Sequence, residues 1–170
     1  MSDDHGPPES EQPSTSGYVG RPMEILLVED SQVDARLTIL SLRGLPFRHR
    51  LTLVRDGASA FSFLRKEGVF ASAPTPDIVL LDLVLPKLPG LCVLRAIRAT
   101  PNIQRLPVIV LTASENAEDQ LECRELKVEH FIHKPVNVEK FQRVIDDLKQ
   151  LWHNEIIFPR SEKRGRGSNG

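Results

Sequence analysis

The 170-residue chain predicts an α/β fold, a (βα)5 unit built on a doubly wound parallel sheet of five strands. Three observations carry this reading. Five short runs rich in branched apolar residues recur along the chain, at strand length. Between them the apolar spacing changes to three and four residues, the period of helices. Two of the runs are apolar at nearly every position, as a parallel sheet covered by helices on both faces requires.

Residues 1–22 are rich in Pro, Ser, Gly and acids and read as a disordered tail. The first strand is EILLV (24–28), followed by a helix whose stripe is marked by Val33, Leu37 and Leu40. The second strand is RLTLV (50–54), with Phe61 and Leu64 in the helix after it. DIVLL (77–81) and PVIVL (107–111) are the third and fourth strands, followed by helices marked by Val93 with Ile97 and by Leu121 with Leu126. EHFIH (129–133) is the fifth. The last helix starts at its cap Asn137 and runs to about Trp152, with Val138, Phe141, Val144, Ile145, Leu148 and Leu151 on one face. The domain therefore spans 23–152, with an apolar arm over 153–159 and a disordered basic tail over 160–170.

A net charge of −1 supplies no general attraction to nucleic acid or anionic membrane. No apolar run reaches the length of a membrane span, and the acidic, polar start is unlike a secretory signal, so a cytoplasmic location is expected. Cys92 and Cys123 lie too far apart for a CxxC pair or a zinc knuckle. His130 and His133, three apart on a strand, point to opposite faces and cannot chelate one metal. The terminal Gly165-x-Gly167-x-x-Gly170 follows no strand and is a chance match. Too few residues follow Trp152 for a DNA-binding domain, so any output runs through protein contacts.

Ligands of open α/β sheets bind beyond the carboxyl ends of the strands. There stand Glu29 and Asp30 after the first strand, Asp82 after the third, Thr112 after the fourth and Lys134 after the fifth. A carboxylate at the end of an apolar run costs several kcal/mol unless paired or bound to a cation. Three carboxylates brought together demand a cation, and an all-oxygen set with few protein ligands suits Mg²⁺. A lysine and a threonine beside such a cluster are the groups that hold a phosphoryl group, which makes Asp82 a nucleophile able to carry an acyl phosphate.

In the motifs VEDS (28–31), LLDLVLP (80–86), LTAS (111–114) and HKP (133–135), residues 23–152 resemble the receiver domain of two-component response regulators. The resemblance implies the flavodoxin-like strand order 2-1-3-4-5. It implies that Glu29, Asp30, Asp82 and the backbone carbonyl of Val84 hold Mg²⁺. It implies that Asp82 takes phosphate from a sensor histidine kinase, with self-catalysed uptake and hydrolysis, and that Thr112 and Lys134 read the phosphate. A cis Lys134–Pro135 bond and Phe131 as the aromatic that changes rotamer on activation follow from the same likeness. The loop TPNIQRLPVIVLTAS, the long last helix and LWHNEIIFP are similar to stand-alone regulators paired with phytochrome photoreceptor kinases. Val84 departs from the Asn that related domains often carry two residues after the phosphoacceptor.

Two other readings compete with this phosphorylation-switched binding protein. A Mg²⁺-dependent aspartyl phosphatase of haloacid-dehalogenase type wants an acid two residues after the nucleophile, where Val84 stands. A constitutive interaction module would not need the five site residues, all of which are present. Ile156, Ile157 and Phe158 are consecutive and cannot all face one small patch. The arm is therefore expected to join the last helix in a two-fold homodimer, the alternative being an arm folded on its own subunit.

Overall fold

Alternation inside the apolar runs gives the sheet two dry faces. The structure, a computed structural model, describes residues 18–113, 116–128, 130–149 and 158–159. Its strands are β1 (Met23–Val28), β2 (His49–Val54), β3 (Ile78–Asp82), β4 (Val108–Thr112) and β5 (His130–His133). All neighbours pair in parallel, in the order 2-1-3-4-5. Each strand lies within one residue of its predicted run.

The connecting helices are α1 (Gln32–Leu42), α2 (Gly57–Arg65), α3 (Gly90–Ala99), α4 (Ala117–Glu125) and α5 (Val138–Leu148). Ile25, Leu27, Ile78, Leu80, Ile109 and Leu111 pack with Leu42 of α1 and with Phe141, Ile145 and Leu148 of α5. Their neighbours Leu26, Val28, Val79, Leu81, Val108 and Val110 pack on the other face with Phe63 of α2, Val93, Leu94 and Ile97 of α3, and Cys123 of α4. Helices on both faces follow from a parallel sheet's right-handed crossovers. Asn137 caps α5 as expected, its side chain accepting from the Lys140 N–H at 2.8 Å.

Three expectations change. Val33, Leu37 and Leu40 face outward, at 67%, 44% and 56% exposure, while Ala35, Thr38 and Leu42 meet the core. Both sets have helical spacing, and contact with β1 chooses between them. Leu121 of α4 is likewise exposed, and Cys123 is the buried residue there. Burial, with the charges of Asp119 and Glu122, pushes the Cys123 thiol up to about 11, which keeps it a protonated packing group.

The expected tail over 1–22 is ordered from residue 18 within the described range. Tyr18–Val19 pair antiparallel with Phe158–Pro159 of the same chain. Arg21 grips Asp77 with two hydrogen bonds of 2.7 and 2.6 Å, and Asp77 also accepts from the Glu24 N–H at 2.8 Å. Residues 1–17, the end of the last helix with Leu151 and Trp152, most of the arm and the basic tail over 160–170 lie outside the described residues.

The loop from β3 to α3 is fixed by two glycines. A Cβ on Gly90 would sit well under 3.0 Å from Asp82 O and Leu83 Cα, and one on Gly57 equally close to Leu88 O. Lys87 in this loop has φ +64° and donates to Asp56 at 3.0 Å, while Asp56 caps α2 through the Ser59 N–H at 2.8 Å. We expect Gly90→Ala to lower stability in urea melts by about 2 kcal/mol or more, since only backbone can yield. The same variant should bind divalent cations less tightly in calorimetry, because the displaced strand end carries Asp82.

Candidate functional site

Glu29, Asp30, Asp82, Val84, Thr112 and Lys134 lie at the carboxyl edge of the sheet, and Phe131 lies within β5, lining the same cleft. Glu29 leaves β1 with its N–H bonded to Val54 O at 3.0 Å, and its side chain is fully buried. Glu29 Oε1 accepts the Ser31 N–H at 2.9 Å. Asp30, next in the chain, points outward and is exposed. Asp82 ends β3, buried, and its Oδ1 accepts the Val84 N–H at 2.9 Å. Lys134 follows β5, its N–H held by Thr112 O at 2.9 Å and its peptide bond to Pro135 cis.

The Lys134 ammonium reaches across the edge. Its Nζ lies 2.6 Å from Glu29 Oε2, 2.6 Å from Asp82 Oδ2 and 3.2 Å from Asp34 Oδ2. Burial alone would lower its pKa, but hydrogen bonds and charge from Asp82 and Glu29 outweigh burial and raise it. Burial pushes the Glu29 carboxyl upward and the nearby Asp82 charge adds to this, against the stabilising bonds from Lys134 and Ser31. Lys134 is the positive charge that keeps this acid pair in place.

Glu29, Asp30 and Asp82 bring ligand oxygens within 4.8 Å of one another. Glu29 Oε2 is buried, and the Lys134 ammonium 2.6 Å away is its partner, which leaves a second lone pair on that oxygen. A buried oxygen with a free lone pair beside two further carboxylates suits a hard divalent cation. The residues present therefore fit a divalent metal site.

A cleft of about 310 Å³ opens over this edge, walled by Asp30, Asp34, Asp82, Val84, Thr112, Phe131 and Lys134. Thr112 and Phe131 are half-buried, Phe131 packing against the core face of α2 to α4. Val84 is 80% exposed, so it borders Asp82 without covering it. A larger cleft of about 520 Å³ lies at the opposite end of β4 and β5. Arg98 in its wall is spent on the carbonyls of Leu126, Gln104 and Leu106.

Asp34 is the residue that sequence reasoning passed over. It sits on α1 between two residues of the apolar stripe, and nothing in its spacing from Asp30 marks it. Only the fold brings it to Lys134, one hundred residues later in the chain.

Residues 25–146 match the response regulator receiver domain family. The chain belongs to this family. It is 37% identical over 138 residues to response regulator Rcp1 of Synechocystis sp., covering 81% of this chain and 94% of Rcp1. The Mn²⁺-bound form of Rcp1 superposes with a TM-score of 0.66 at 37% identity, covering 82% of this chain and all of that one. The bacteriophytochrome response regulator RtBRR superposes with a TM-score of 0.68 at 38% identity, covering 78% of this chain and 81% of RtBRR. Among the described residues of this receiver domain, no helix is long and apolar enough to cross a membrane.

Replacing the ammonium tests the electrostatics directly. Lys134→Met should lose about 3 kcal/mol of stability without metal, because Glu29 and Asp82 are left uncompensated. Mg²⁺ should then restore more stability to the variant than it adds to the wild type, as read by urea melts with and without the ion.

Proposed function

We propose that the protein accepts a phosphoryl group on Asp82 from a sensor histidine kinase, in a Mg²⁺-dependent reaction that it catalyses itself, and thereby switches protein contacts. The observation that carries this reading is the convergence of Asp82 with Glu29, Asp30 and Lys134 at one cleft. Glu29, Asp30, Asp82 and the Val84 carbonyl are the ligands we assign to Mg²⁺. When bound, the ion offsets charge on the phosphoryl oxygens.

The Asp82 carboxylate attacks phosphorus, an O–P bond forming as the P–N bond to the donor histidine breaks. The bonding pair stays on the imidazole nitrogen, which takes a proton from water. Lys134 exchanges its contact with Asp82 Oδ2 for a phosphoryl oxygen, and the Thr112 hydroxyl donates to another. Phe131, half-buried beside Thr112 and Lys134 in the cleft, is the side chain we assign to the change of rotamer. Hydrolysis returns Asp82 to its resting pairing.

The donor must bring a histidine ring to Asp82, so its protein has to cover the start of α1. The exposed stripe of Val33, Leu37 and Leu40 supplies an apolar surface on that helix. A phytochrome-type kinase is supported by the likeness to RtBRR. A cytoplasmic location accords with such a partner.

A homodimer through the last helix and 153–159 also belongs to this reading, on narrower ground. Phe141, Val144, Ile145 and Leu148 are spent in the protein's own core, and Phe158–Pro159 pair with Tyr18–Val19 of the same chain. Self-association through α5 would therefore use its solvent face, where Glu139, Arg143, Asp146 and Asp147 stand.

Asp82→Asn should abolish hydroxylamine-sensitive labelling by phosphorylated kinase while the fold is retained; labelling that persists would place the phosphoacceptor elsewhere. Asp30→Ala should weaken Mg²⁺ binding about tenfold or more in calorimetry, with labelling lost in parallel. Because exposed Val84 can neither orient nor hydrogen-bond an attacking water, Val84→Asn should lose its phosphate faster than the wild type in a chase after the donor is removed.

A further inference from the structure

We propose that Asp34 sets the donor specificity of the Asp82 site, its charge opposing small free phosphoryl donors so that uptake depends on a donor carried by a docked protein. This rests on Asp82 being the phosphoacceptor.

Asp34 occupies the first turn of α1, its N–H on the Ser31 hydroxyl at 3.2 Å, and its side chain lines the same cleft as Asp82. Its Oδ2 is 3.2 Å from Lys134 Nζ, which is 2.6 Å from Asp82 Oδ2. The two carboxylate oxygens are therefore no more than about 6 Å apart across one ammonium, given ordinary charge-pair geometry. Asp34 is nonetheless outside the group of acids close enough to share a metal, which comprises Glu29, Asp30 and Asp82 among the described residues.

The charges around Lys134 show what Asp34 adds. Glu29, Asp30 and Asp82 are balanced by Lys134 and a divalent cation. Asp34 leaves this ring one negative charge in excess, and Asp119 on the opposite wall of the cleft has the same sign. The Asp34 side chain is 36% exposed, so water screens the excess without removing it.

A free donor such as acetyl phosphate arrives as a dianion. Held about 6 Å from one carboxylate in a wet cleft, it is disfavoured about tenfold. A protein-borne donor meets the same repulsion, but surface remote from the reacting atoms supplies binding energy to offset it. Val33 and Leu37, on either side of Asp34 in sequence, provide such surface next to the charge. The residue that repels free donors thus lies within the helix that we assign to docking.

The test uses the full chain at saturating Mg²⁺, with acetyl phosphate and phosphoramidate as probes. At low salt, Asp34→Asn should lower KM for acetyl phosphate about tenfold with little change in maximal rate. Phosphoramidate, with one net negative charge, should respond about threefold, and Asp34→Glu should keep wild-type values. Added salt should shrink every difference, which a purely structural role would not produce. Equal KM values in wild type and Asp34→Asn would overturn the proposal. So would a loss of Mg²⁺ affinity in calorimetry matching that of Asp30→Ala, which would make Asp34 part of the metal site. Wild-type protein that takes no label from either probe or from kinase would overturn the phosphoacceptor reading itself, and this proposal with it.

Discussion

The contact of one buried ammonium with two buried carboxylates holds the functional edge of this protein together. Glu29 and Asp82 come from neighbouring strands, and burial together with the charge of Asp82 pushes the Glu29 carboxyl upward, which the ammonium between them opposes. Lys134 supplies that ammonium from a third strand end, at 2.6 Å from each. The ammonium is held by charge and by hydrogen bonds to Asp82 and Asp34, on the carboxylate side of the edge and above the apolar packing beneath it.

That packing is what makes the edge stiff. The sheet is dry on both faces, with α1 and α5 over one and α2, α3 and α4 over the other, so strand ends cannot slide independently. The loop that carries Val84 is pinned at its root by the close approach of Gly90 to Asp82 and by Gly57 under Leu88. The Lys87–Asp56 pair adds a tie at its tip. The site side chains of this receiver domain thus stand on a rigid frame.

The outer surface divides in the same way. α5 turns its apolar residues inward, leaving Glu139, Arg143, Asp146 and Asp147 on its solvent side. α1 buries Ala35, Thr38 and Leu42 but leaves Val33, Leu37 and Leu40 in water. An uncovered apolar stripe of this kind is the sort of surface that other proteins cover. The ladder of Tyr18–Val19 with Phe158–Pro159 accords with the alternative of an arm folded on its own subunit.

The sequence by itself determined the fold and the roll of charged groups at its edge. Strand and helix are legible because period two and period 3.6 are local properties, and residues at strand ends are legible because a parallel sheet places all of them on one side. Asp30, Asp82, Thr112 and Lys134 could be named on that ground alone, and Glu29 with them. Only the tertiary structure decided which of two helical stripes on α1 meets the core, since both have the right spacing and the choice depends on the surface they face. Only it could bring Asp34 to Lys134 or Arg21 to Asp77, because pairings between distant residues are set by how the elements dock and leave no period in the chain.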